Sequence, residues 1–259
     1  MPKPHRRKSE PSLFAPPSSA QPLAARMRPR SLDEFVGQEH LLAAGKALRT
    51  AIERGTIGSM IFWGPPGTGK TTLGRLIAQY TDSEFVPFSA VTEGVPRVRE
   101  IVAEAEERLE RGRATILFVD EIHRFNRAQQ DAFLPHVEQG TITLIGATTE
   151  NPSFEVNGAL LSRMRVFVLE SLTEGDLVAV IDRALHDAER GLGTRNISIA
   201  DDARSVLARE SDGDARRALT ALEASATDVG DGGVITVDTV RDALQKRFAL
   251  HDKSGEAHF

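Results

Sequence analysis

Gly64-Pro65-Pro66-Gly67-Thr68-Gly69-Lys70-Thr71 decides how the rest of the chain is read. The spacing is that of a phosphate loop: a glycine, four residues, then Gly-Lys-Thr. Its glycines let backbone N–H groups turn inward around phosphate oxygens, and the helix that follows brings its positive N-terminal end to the same point. Lys70 is expected to reach the β- and γ-phosphates, and Thr71 to offer a hydroxyl to Mg²⁺. Gly64, Pro65, Pro66, Gly67, Thr68, Gly69, Lys70, Thr71 and the adjoining Thr72 are therefore the candidate nucleotide-binding residues.

The flanks have the context this loop requires. The apolar run Met60-Ile61-Phe62-Trp63 reads as a strand before it, and the spacing from Lys70 to Tyr80 reads as a helix after it. The alternation then repeats. Phe85–Phe88, Ile116–Val119, Thr141–Ala147 and Val166–Leu169 read as four further strands. Between them lie a helix opened by Pro96, with Val98, Ile101, Val102, Ala105 and Leu109 on one face, helical residues from Arg127 to Gln139, and a short helix ending at Arg163. An earlier helix spans Leu41 to Arg54, with Gly55 as its stop. Strands alternating with helices predict an α/β fold, a parallel five-stranded sheet covered on both faces.

After Ser171 the β-rich runs give way to helical ones: Thr173–Arg190, Asp201–Glu210, Gly213–Val229 and Val237–Phe248. Thr173-x-x-Asp176 and Ser198-x-x-Asp201 read as capping boxes for the first two. The expected organisation is a Pro/Ser-rich basic tail over 1–21, a nucleotide-binding domain over 22–171, a small all-helical domain over 172–248 and a linker from 249 to 259.

The third apolar run ends in Asp120-Glu121. Two carboxylates at a buried strand's C-terminal end lie at the edge where open α/β sheets bind ligands. Asp120 is placed to hold the magnesium through water, and Glu121 to orient the attacking water, which predicts a hydrolase rather than a kinase. Thr148-Thr149-Glu150-Asn151 closes the next strand and can hydrogen-bond the γ-phosphate or that water.

Composition narrows the class further. The chain has 259 residues, 37 acidic and 32 basic side chains and no cysteine, which excludes structural disulfides and thiolate-ligated metal. Residues 1–30 hold seven Lys/Arg against one Glu, so the remainder carries −11 within a total of −5. No apolar segment follows the basic start and no long apolar run suggests a membrane span, so a cytoplasmic location is expected.

Taken together these residues resemble the AAA+ ATPases of the clamp-loader group, from Pro22 to the chain end. Phe118-Val119-Asp120-Glu121-Ile122-His123-Arg124-Phe125-Asn126, Gln129-Gln130-Asp131-Ala132-Phe133-Leu134-Pro135-His136 and Gly146-Ala147-Thr148-Thr149-Glu150-Asn151-Pro152-Ser153-Phe154 are similar to the replication-associated recombination protein A family. The resemblance implies a P-loop AAA+ core followed by a helical lid. It implies Thr149 as sensor 1, Arg163 as the arginine finger that enters a neighbouring subunit's site, and Arg216 as sensor 2. Val36 and Gly37 match the adenine pocket with Arg28 and Pro29 beside it, and Ser89 matches a residue that turns the catalytic glutamate away until DNA binds.

It further implies a DNA-stimulated ATPase using ATP and Mg²⁺ at stalled or gapped forks. Its partners would be single-stranded or forked DNA, single-stranded-DNA-binding protein and replication or recombination proteins, in a homo-oligomer that is a tetramer in the full-length family. Family members continue into a C-terminal domain that forms that tetramer, so the chain reads as an ATPase core of a longer protein. Two alternatives stay open: a Holliday-junction branch-migration motor, disfavoured by Glu150-Asn151-Pro152, and a nucleotide-gated scaffold with little turnover, disfavoured by the intact Lys70, Asp120, Glu121, Arg163 and Arg216.

Overall fold

A computed structural model describes residues 21–89 and 93–245. All but the last residue of the expected tail, and the whole expected linker over 249–259, lie outside the described residues. Five parallel strands form the main sheet: β1 (Met60–Trp63), β2 (Glu84–Ser89), β3 (Thr115–Asp120), β4 (Thr143–Thr148) and β5 (Arg165–Val168), in the order β2-β3-β4-β1-β5. The central strands read as continuous apolar runs because both faces are covered. Ile61, Leu117, Val119 and Leu144 pack on one side with Phe88, Ile101 and Phe133. Their chain neighbours Phe62, Phe118 and Ile145 pack on the other with Leu73 and Ile77. The period-two alternation thus divides each strand between two cores. Val166 and Val168 on the edge strand β5 remain 40% and 44% exposed.

Helix α1 (Lys70–Tyr80) follows the phosphate loop and α2 (Val95–Glu110) connects β2 to β3. Of the predicted face of α2, Val98, Ile101, Val102 and Ala105 are buried, whereas Leu109 in the last turn is 46% exposed. Two predicted helices are broken. Leu41–Arg54 divides into Glu39–Leu42 and Ala47–Glu53, because Gly45 takes a left-handed φ of 81° between them. Arg127–Gln139 divides into Arg127–Asp131 and Leu134–Glu138, with Pro135 in the first turn of the second piece.

The lid comprises α3 (Glu174–His186), α4 (Asp201–Glu210), α5 (Ala215–Val229) and a helix over 237–245. The predicted Thr173/Asp176 box is present: the Asp176 N–H donates to Thr173 Oγ1 at 3.1 Å and the Thr173 N–H donates to Asp176 Oδ2 at 2.9 Å. The second predicted box is not. Ser198 lies in a two-residue strand, Ser198–Ile199, that pairs in parallel with Val234–Ile235, so Ala200 caps α4 and the lid is helical apart from this short pairing.

One boundary differs from expectation. Leu23 and Met27, assigned by sequence to the sheet domain, are buried in the lid's own core with Leu177, Ile181, Leu207 and Leu222. The Leu23 N–H donates to Glu223 Oε1 at 2.9 Å, fixing this N-terminal turn to α5. The chain then crosses to the sheet domain, where Leu32 joins the Phe62 core, and returns between Leu169 and Leu172.

Candidate nucleotide-binding site

The phosphate loop leaves the C-terminal end of β1 and is held by its neighbours. The Gly64 N–H donates to the Thr148 carbonyl at 3.1 Å, extending the β1–β4 ladder. A Cβ on Gly64 would strike the Leu169 carbonyl, which explains the glycine. Gly67 (φ 73°) and Gly69 (φ 97°) are left-handed, and a Cβ on Gly69 would lie 2.5 Å from the Phe35 ring. Gly67 lies directly under Asp214, whose carboxylate occupies the place a Cβ would need. Asp214 also caps α5, accepting from the Arg217 N–H at 2.9 Å, so the lid's cap rests on the phosphate loop.

Lys70 is 9% exposed, and its Nζ donates to the Gly64 and Pro65 carbonyls at 2.6 and 2.7 Å. Burial pushes its ammonium below the ordinary lysine value, while the nearby Glu121 and Asp120 carboxylates oppose that shift. A phosphate would oppose it further, since opposite charge favours the charged form. Arg28 is pushed down by burial, then by the neighbouring Arg75 and Arg216 guanidiniums. Crowded cations of this kind are stabilised by an anion among them.

A cavity of about 510 Å³ opens between sheet domain and lid, within the range of roughly 300–1,000 Å³ that small-molecule sites occupy. Pro66 to Thr72 line its floor, Asp120, Glu121 and Thr149 one wall, and Ala215, Arg216, Leu219 and Thr220 the lid side. Arg28, Pro29, Phe35 and Val36 close the end remote from the carboxylates. The structure thus brings together Lys70, Thr71, Thr72, Asp120, Glu121, Thr149, Arg216, Val36 and Arg28 from separate stretches of sequence.

Other expected residues stand outside the lining, each for a local reason. Gly37 (φ 75°) packs against Leu172, where a Cβ would approach the Leu172 Cδ2 to 2.6 Å, so it shapes the turn beneath Val36. Gly64 and Pro65 serve Lys70 through their carbonyls. Arg163 does not line this chain's cavity; it donates to the Ala159 carbonyl at 2.7 Å and pairs with Glu138. Ser89 ends β2 in register with Asp120, and its N–H donates to Glu93 Oε2 at 2.8 Å.

Sequence reasoning assigned no role to His123. It sits in the turn after β3, with Nδ1 2.9 Å from Thr148 Oγ1 and 3.2 Å from Glu121 Oε2. Its signal was its place two residues after the carboxylate. Gln38 was also missed: its amide donates to the Glu170 carbonyl at 2.7 Å and accepts the Glu170 N–H at 2.9 Å, joining the turn after Val36 to the segment that follows β5.

The residues fit a nucleoside triphosphate with magnesium. The left-handed Gly67 and Gly69 carry no side chain into the loop, a helix N-terminus points at it, and the buried Lys70 stands in the same loop. Among the described residues no three His, Cys, Asp or Glu side chains group into a metal site. A hard cation here would therefore take Thr71, Asp120 through water, and phosphate oxygens.

Comparison with known proteins gives the chain relatives. The model of the ATPase family associated with various cellular activities (AAA) matches residues 60–172, and that of the AAA C-terminal domain matches 193–259. The chain is 51% identical to replication-associated recombination protein A of Escherichia coli K12, over 96% of this chain and 56% of that protein. It is 53% identical to the Coxiella burnetii protein of the same name, over 92% of this chain and 54% of that one. ATPase WRNIP1 of Dictyostelium discoideum is 39% identical over 93% of this chain and 30% of its own length. The chain thus spans little more than half the length of its bacterial relatives. Among solved structures, the Thermotoga maritima RuvB Holliday junction branch migration motor superposes with a TM-score of 0.69 at 30% identity, over 85% of this chain and 72% of that one.

Proposed function

Since the chain belongs to the AAA ATPases, on the branch of the replication-associated recombination protein A relatives, we propose that it binds ATP with Mg²⁺ in this cavity and hydrolyses it. The purpose of that hydrolysis is DNA maintenance at stalled or gapped replication forks. The observation that carries the reading is the convergence of Lys70, Glu121 and Arg216 from loop, strand end and lid on one cavity. Lys70 and Arg216 offset negative charge on the transferring phosphoryl group, and Thr149 orients its oxygens or the attacking water. Glu121 accepts a hydrogen bond from that water and aligns it. Thr71 and, through water, Asp120 would hold magnesium, which would supply further positive charge beside the phosphates.

Arg163, which does not line its own chain's cavity, completes a neighbouring subunit's cavity in a homo-oligomer. Fingers of this kind are worth roughly 10³–10⁵ in turnover. DNA, single-stranded-DNA-binding protein and recombination proteins are the proposed partners. The names of the relatives favour this over branch migration, because the identity to them is 51% against 30% for the motor. Steady-state ATPase rates, with and without single-stranded, gapped and forked DNA, test the proposal. A rate equal to that of Glu121→Gln under every condition would overturn it in favour of a nucleotide-gated scaffold.

A further inference from the structure

Glu121 has a left-handed backbone (φ 53°), a conformation disfavoured for any residue with a Cβ. Its Oε2 is buried and makes no hydrogen bond, although His123 Nδ1 is only 3.2 Å away. That nitrogen is engaged by Thr148 Oγ1 at 2.9 Å. The bonds of Thr148 favour the ring as donor. Its hydroxyl lies 3.2 Å from the Glu150 carbonyl, which can take its proton, and one lone pair accepts the Glu150 N–H at 3.0 Å. That leaves the other lone pair for the ring, an arrangement that places the proton on Nδ1. One N–H therefore faces two acceptors: the neutral hydroxyl it now serves and a buried carboxylate oxygen to which a charge-assisted bond would be stronger.

Thr148 is fully buried at the end of β4, its carbonyl holds Gly64, and the next residue is Thr149 on the cavity wall. We propose that His123 is a positioning residue that passes its Nδ1–H from Thr148 to Glu121, coupling occupancy of the γ-phosphate end at Thr149 to the orientation of the Glu121 carboxylate. Contact at Thr149 moves the Thr148–Glu150 turn and loosens the hydroxyl's hold on the ring. The freed N–H then bonds Oε2, fixing the carboxylate with its other oxygen toward the cavity. This inference rests on the hydrolytic role proposed for Glu121.

The test compares His123→Phe, His123→Asn and Thr148→Val with the unaltered protein and Glu121→Gln, recording kcat, KM for ATP and thermal stability. His123→Phe should lower kcat by about ten-fold or more with KM nearly unchanged, the mark of an interaction needed beyond substrate binding. His123→Asn, whose amide N–H sits near the position of Nδ1, should recover much of the loss. Thr148→Val removes the competing acceptor, so the imidazole ¹⁵N shifts of its nucleotide-free form should already lie at the nucleotide-bound position of the unaltered protein. A packing role alone would instead lower stability and kcat together in His123→Phe with no recovery in His123→Asn, and that result would overturn the proposal.

Imidazole ¹⁵N spectra of the folded protein give a readout independent of turnover. The Nδ1–H tautomer is expected, with a shift in the unaltered protein when a non-hydrolysable ATP analogue is added and a smaller one in Glu121→Gln; an Nε2–H tautomer would overturn the relay. Absence of hydrolysis in the unaltered protein would refute the role of Glu121, while the tautomer would still decide the hydrogen bond.

Discussion

Replacing Gln130 by leucine tests how the turn behind the carboxylates is held. Gln130 is 1% exposed, and its amide nitrogen donates to the Phe125 and Glu155 carbonyls, each at 3.0 Å, while its oxygen accepts the Asn157 N–H at 2.7 Å. One side chain thus joins the turn after β3 to the segment leading to Arg163. Leucine is similar in volume but leaves two carbonyls and one N–H without their partner. An orphaned buried group costs about 1–3 kcal/mol, the carbonyls toward the low end, so the loss is about 3–5 kcal/mol. Extra apolar burial by leucine offsets about 1–2 kcal/mol of that. The net expectation is a destabilisation of about 1–4 kcal/mol, a sizeable share of a typical 5–15 kcal/mol total.

Trp63, the single tryptophan, lies in β1 and reports on the sheet domain, so urea unfolding followed by its fluorescence is the assay. The midpoint should fall with the slope unchanged. Gln130→Glu should be worse than leucine at neutral pH, because it loses both donors and buries a charge. A leucine variant at least as stable as the unaltered protein would refute the claim that hydrogen bonding, rather than shape, fixes Gln130.

Gly45→Ala and Gly67→Ala form a matched pair, since both impose a left-handed residue at a cost of about 1–2 kcal/mol, but only the second drives a Cβ into the lid's Asp214. Calorimetry should find ATP affinity intact in the first and reduced about ten-fold or more in the second; equal affinities would refute the Asp214 contact. Arg163→Ala should keep ATP affinity and lose hydrolysis in the assembled protein, and a variant hydrolysing at the normal rate would exclude a finger acting in trans. Burial raises the Glu34 carboxyl, but the Arg190 and Arg30 hydrogen bonds hold it below 4.5, and Asp187 is likewise held below 3.8 by Arg190 against burial. Both folded values are depressed, so their stabilisation is whole above the ordinary carboxylate range and is lost as pH falls through the folded values. Glu34→Gln and Asp187→Asn should flatten the acid side of a thermal-stability profile, and an unaltered slope would argue against the pairing.

What the sequence shows and what it hides follow from the range of each interaction. The phosphate loop, the carboxylates after β3 and the strand–helix alternation are local patterns, and they fall within a residue or two of the observed elements. The breaks at Gly45 and near Pro135 are also local, yet apolar periodicity runs across them unchanged, so periodicity alone joins what the backbone separates. Gln130 and His123 stand in the very runs that carry the family resemblance. Their physical roles depend on partners 25 or more residues away, Glu155 and Asn157 for one and Thr148 for the other. Leu23 in the lid core is the extreme case, since its backbone partner Glu223 is 200 residues distant.

That packing of Leu23 and Met27 makes the lid a unit assembled from two separated parts of the chain, with the sheet domain inserted between them. The two units are therefore joined by two covalent crossings, one between Met27 and Leu32 and one between Leu169 and Leu172. A body hung from one tether pivots in any direction. Hung from two, it has a preferred axis running through both attachment points. Any rotation of the lid about that axis would carry Arg216 and Asp214 toward or away from the phosphate loop along one path. Synthesis has an order to match: the first turn of the lid must wait for α3, α4 and α5 before Leu23 can be buried, and the sheet domain can form while it waits.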